Sequence, residues 1–266
     1  MNLPDDLNRA DRLNRPDHLS RNAYRNQLIC AYSGFVFVLL FLIGFWPIAG
    51  FVPPPSPTNT VEVTAAFFAE HTLRIRIGMW VTMVGCALVA SWTVAVSAQL
   101  RRISGAETLA QLQLILGSLL TIEFLIPVMM WQAAAYRPEG DPEITARYND
   151  MAWLIFLGLV STVILQIVVI GVAILQDDRE QPVFARWLGY QSFMTAAFIV
   201  PGGLIVFFKS GPFAWNGIMS WWVLLAAFCV WMLTFTSAVV RAIKRQAVEE
   251  PATQAGPPSL SMRSSS

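Results

Sequence analysis

The sequence predicts an all-α integral membrane protein, a bundle of six transmembrane helices built from three helical hairpins, with both termini cytoplasmic. Three observations lead there. Of the 266 residues, 55% are hydrophobic and 13% charged, at a formal net charge of +1. That balance leaves too little polar surface for a dispersed soluble domain and provides no basic field for nucleic acid. Six stretches supply the roughly 20 apolar residues that a helix needs to cross the hydrocarbon core. Short clusters rich in Arg and Asp separate several of them.

The chain divides into a polar cytoplasmic N-terminal segment, 1–27, a six-helix transmembrane domain, 28–243, and a disordered cytoplasmic tail, 244–266. The N-terminal segment has no apolar stretch of the kind a cleavable leader carries, so the first span is expected to direct insertion. It holds a loose six-residue repeat, LNRADR, LNRPDH, LSRNAY, with Leu7, Leu13 and Leu19 in register. Six is not a helical period, and a weakly ordered surface segment is expected. The tail, with PATQAGPPSLSMRSSS, is rich in Pro, Ser and Gly, a composition that cannot bury a core.

The spans are expected at 28–52, 77–98, 108–136, 151–176, 187–208 and 210–240. Lys209 alone lies between the last two, but Ser210, Gly211 and Pro212 break the helix there, so two full spans are expected. Thirteen Lys and Arg residues fall on the side of the termini and five (Arg74, Arg76, Arg137, Arg147 and Lys209) on the other. Basic residues resist translocation, which places the termini inside. Arg outnumbers Lys sixteen to two, the codon bias of a GC-rich bacterial genome, and the expected location is a bacterial plasma membrane.

Each odd span carries a proline after an aromatic and aliphatic cluster: FLIGFWP ending at Pro47, FLIP at Pro127 and FIVP at Pro201. Each ring nitrogen leaves a carbonyl four residues earlier without its donor, at Ile43, Glu123 and Ala197. The recurrence fits either a repeated hairpin or the ordinary abundance of proline in spanning helices. Before the second span, Asn59 and Glu62 have capping-box spacing, and a helix is expected to run from there through Arg76 into the membrane.

Glu123 is the only ionisable side chain inside any span, and a carboxylate at the bilayer centre costs about 2.5 to 3.5 kcal/mol on insertion scales. It needs a partner; Gln166 of the fourth span, Tyr190 and Gln191 near the start of the fifth, and Gln132 nearer the outer surface are the candidates, and depth favours Gln166. Two readings stand: a proton or ligand site, or an interhelical hydrogen bond that locks packing. Outside, Arg74 is spaced to pair with Glu70, and Arg137, Asp150 and Trp153 approach the same surface. They outline an outward-facing polar pocket, although Trp46, Trp80, Trp131, Trp153, Trp215, Trp221 and Trp222 equally suit an interfacial aromatic belt.

No catalytic constellation, metal site or cofactor is expected. Cys30, Cys86 and Cys229 all fall in spans, His18 and His71 are isolated, and HExxH, GxxxxGK[ST] and GxGxxG are absent. Beyond the bilayer itself, the expected partners are a small hydrophobic or amphipathic ligand or another membrane protein. The best functional reading is a small-molecule or lipid-handling permease or accessory binder. The alternatives are a structural subunit of a larger membrane complex and, third, a membrane-embedded enzyme.

Overall fold

A computed structural model describes residues 21–254. The N-terminal repeat and the end of the tail lie outside the described residues, apart from the last few repeat positions. Among the described residues six helical segments are long and apolar enough to cross a membrane, and the chain is a multi-pass membrane protein. Their order is α1 (Arg21–Ile43) continuing through a π turn (Gly44–Ile48); a short α2 (Val61–Glu70) between spans; α3 (Thr72–Leu100); α4 (Glu107–Tyr136); α5 (Pro142–Gly158) and α6 (Ser161–Leu175), together the fourth span; α7 (Arg186–Ile199) continuing through a 3-10 run (Val200–Val206); and a π turn (Ile218–Val223) leading into α8 (Leu224–Gln254).

Consecutive spans pack side by side, and α8 returns against α1, so the six close into a ring. An even number of crossings puts the described ends at one end of the bundle, here the terminal end; the opposite is the distal end. The faces that the helices bury are not more apolar than those they expose. On α3 the buried face includes Thr82, Thr93, Ser97 and Gln99, whereas Ile77, Trp80, Val84 and Val94 face outward. Lipid tails are as apolar as Leu, so association relies on packing and hydrogen bonds, and polar groups belong inside.

The core is aromatic. At the distal half Phe45 stands among Trp131, Trp153, Phe156 and Trp221, at ring-centroid distances of 5.3 to 5.8 Å. Trp131, Trp153 and Trp221 are fully buried and Trp215 nearly so, which removes four of the seven tryptophans from the expected interfacial belt. Trp46, Trp80 and Trp222 remain exposed. Depth along a helix is legible in sequence; which way an indole points around it is set by the neighbours.

The prolines differ structurally. At Pro47 the register changes to i→i+5, the π turn that passes the missing N–H and hands the Ile43 carbonyl to the next residue, Ile48. Pro127 lies inside a continuous α-helix, and Pro201 opens the 3-10 run. The fourth span is not continuous as expected: it breaks at Leu159 and Val160. Gly202 of the fifth span packs directly against this break. A Cβ there would meet the Leu157 carbonyl oxygen at 2.5 Å and Val160 Cγ1 at 3.0 Å, so only glycine lets the fifth span sit in the break of the fourth. Ser220 of the π turn donates to the Pro201 carbonyl at 2.9 Å, which brings the irregular stretch of the sixth span to the same place.

The helix before the second span also departs from expectation. Thr60, not Asn59, is its N-cap, its hydroxyl accepting from the Val63 N–H at 3.4 Å. The helix ends at His71, and a new one starts at Thr72. At the terminal end, buried Gln99 donates to Gln27 and Gln246, both at 3.0 Å, joining the first, second and sixth spans. α8 runs on to Gln254.

Candidate functional site

The predicted site residues do not share one site; two places hold three of them. Glu123, half-buried on α4, lines a partly enclosed cavity of about 60 Å³ at the level where the fourth, fifth and sixth spans break. The rest of the wall is apolar apart from the Cys229 thiol. Its carboxyl partner is Thr162, whose hydroxyl donates to both carboxyl oxygens, and not Gln166. The break in the fourth span creates this arrangement. Thr162 is the second residue of α6, so the first turn of a new helix, with its free N–H groups and positive dipole end, lies beside the acid.

Gln166 is one turn further along α6 and buried. Its Nε2 donates to Thr93 Oγ1 at 3.1 Å, and Gln113 Nε2 donates to the same oxygen at 2.8 Å. These three side chains tie the second, third and fourth spans together. Gly117 makes room for them: a Cβ there would lie 1.9 Å from Thr93 Oγ1 and 2.6 Å from Gln166 Nε2.

Gln132 and Arg137 line the second place, a groove of about 830 Å³ at the distal end between α3, α4 and α5. Arg76, which sequence reasoning passed over for Arg74, organises it. Its guanidinium donates to the carbonyls of Ala135 (3.1 and 2.8 Å) and Tyr136 (2.7 Å) and lies 5.8 Å from the Tyr136 ring centroid. A cation at a helix C-terminus is held by unsatisfied carbonyls and the dipole together. Gln132 Nε2 returns a bond to the Arg76 carbonyl at 3.2 Å. Arg137, Tyr136 and Tyr148 are exposed at the rim. Asp141 also lines the groove, accepting from the Glu143 N–H at 2.9 Å to cap α5.

The groove descends from this polar rim to Met83 and Met129. They sit seven and eight residues inward of Arg76 and Arg137, about 10 to 12 Å at 1.5 Å per residue. A charged mouth above an apolar floor suits an amphiphile whose head stays at the interface while its tail follows the helices.

Arg74, Asp150 and Trp153 are not part of either place. Arg74 donates to the Ile48 and Pro47 carbonyls at 3.2 and 3.1 Å, closing the end of the first span rather than pairing with Glu70. Two residues along a helix is a turn of about 200°, so Arg74 and Arg76 serve different neighbours. Asp150 is exposed, whereas Trp153 is fully buried and donates to Asn149 Oδ1 at 3.1 Å. The inward face of α5 passes through the i, i+4 pair, and Asp150 lies off it.

Among the described residues no group of three or more His, Cys, Asp or Glu side chains is placed to hold a metal ion. Comparison of the chain with family models, curated proteins and solved structures finds no match.

Proposed function

We propose that this protein handles a lipid or another small amphiphile in a bacterial plasma membrane, as a permease or an accessory binder, with the distal groove facing outward. The single observation that supports this most directly is the groove's gradient, from Arg76, Arg137, Tyr136 and Tyr148 at the rim to Met83 and Met129 below. Its volume of about 830 Å³ is that of a ligand pocket. The orientation rests on the thirteen to five distribution of basic residues, and the bacterial membrane on the excess of Arg over Lys.

Native mass spectrometry of the protein released from mild detergent tests the proposal. One lipid or amphiphile per chain is expected to remain bound. Arg137→Ala removes an exposed charge worth about 1 kcal/mol, so retention falls roughly fivefold. Lys209→Ala removes a distal cation outside the groove and leaves retention unchanged. Equal loss in both variants, or no retained molecule in the parent, overturns the reading. The rival role, a structural subunit, draws on the Gln113, Thr93 and Gln166 cluster, whose bonds serve packing alone. We assign no catalytic role.

A further inference from the structure

We propose that the cavity containing Glu123 is a binding site for a small organic cation, the methylated ammonium head of a quaternary or tertiary amine. Six aromatic side chains line it: Phe37 and Phe41 of α1, Phe124 of α4, Phe156 of α5, Trp221 of the π turn and Phe228 of α8. They form a connected set. Ring centroids lie 5.6 Å apart for Phe37 and Phe124, 5.8 Å for Phe41 and Phe156, 6.0 Å for Phe124 and Phe156, 6.1 Å for Phe124 and Phe228, and 6.5 Å for Phe156 and Trp221.

Aromatic rings carry negative faces and attract cations, more strongly where water is excluded. Among the lining residues Glu123 is the only acid, and none is Lys, Arg or His. An anionic ligand would be opposed by the acid and by the ring faces, and a neutral ligand would use the charge of neither. A diffuse cation answers both the rings and the acid and sheds its water at low cost. Thr162 and the first turn of α6 already support negative charge on Glu123, so the site is arranged before a ligand arrives. The size agrees: about 60 Å³ admits a compact head and not a drug-sized body. This site is separate from the distal groove and stands or falls without it.

Choline and 3,3-dimethylbutan-1-ol test the inference, because they share a shape and differ in the charged nitrogen. Equilibrium dialysis against the full chain in detergent is expected to show saturable choline binding at least tenfold tighter than that of the neutral alcohol, a comparison that needs no variant. Glu123→Gln keeps a hydrogen-bonding partner for Thr162 and removes the charge, and choline affinity is expected to fall at least tenfold. Arg137→Ala, in the groove, leaves it unchanged, so this test and the lipid test fail independently. Equal affinity for choline and the alcohol, or choline binding by Glu123→Gln equal to that of the parent, refutes the site.

Discussion

Gly117→Ala places one methyl group where the second, third and fourth spans meet. The new Cβ would lie 1.9 Å from Thr93 Oγ1, 2.8 Å from Thr93 Cβ and 2.6 Å from Gln166 Nε2, all belonging to buried residues. Thr93 cannot swing aside, because its hydroxyl is held by Gln113 and Gln166. The helices must separate by more than 1 Å. Overpacking of this kind costs about 1 to 3 kcal/mol. Two interhelical hydrogen bonds inside a membrane add about 0.6 kcal/mol each. The expected loss is therefore about 2 to 4 kcal/mol, read as unfolding by a denaturing detergent and followed by tryptophan fluorescence. Gly158→Ala is the control, since its Cβ would meet only the flexible end of Ile205 at 3.4 Å, and it should stay within about 0.5 kcal/mol. Thr93→Ala removes the oxygen that clashes. The double variant should thus be more stable than the two single losses predict by about 1 kcal/mol or more. Simple additivity, within about 0.5 kcal/mol, would refute the contact as the cause, as would a Gly117→Ala protein no weaker than Gly158→Ala.

Two further outcomes follow from particular contacts. Burial alone would raise the Asp177 pKa, but the paired bonds from Arg179, each 2.7 Å, and the Val183 N–H at 2.8 Å outweigh it and hold the carboxyl below its ordinary value. A carboxyl with a depressed folded-state pKa stabilises the fold above the unfolded value and loses that contribution as pH falls through the folded one. Asp177→Asn should consequently cost about 2 kcal/mol at neutral pH, as expected for bonds to a charged group. The gap from the parent should shrink in acid, and a pH-independent gap in unfolding midpoints would contradict the account. Gly202→Ala, which would press on the Leu157 carbonyl oxygen at 2.5 Å, should lower the unfolding midpoint at least twice as far as Gly203→Ala, which would meet the Val160 side chain at 3.2 Å. Equal shifts would show that the fifth span does not depend on seating in the break of the fourth.

Six spans, their approximate limits and the presence of one acid among them were all determined by the sequence, because a bilayer demands about 20 apolar residues per crossing and penalises every charge. The same medium hides the rest. A helix in lipid is apolar on both its buried and its exposed face, so hydropathy gives no rotation about the axis. That is why Trp131, Trp153 and Trp221 read as interfacial and prove central, and why Asp150 and Trp153, three residues apart, part company. Glu123 and its need for a partner were legible, but the identity of that partner was not. Thr162 reaches it only because the fourth span breaks at Val160, and nothing in the apolar run from 151 to 176 marks that break except Gly158. What seats against the break is a glycine in another span, Gly202, whose close approach no single run of sequence shows. Arg76 shows the same limit, since the carbonyls it caps lie about sixty residues away in the chain, at Ala135 and Tyr136. Spacing along one helix can state what a residue is able to do, and only the packing of helices decides which neighbour it does it with.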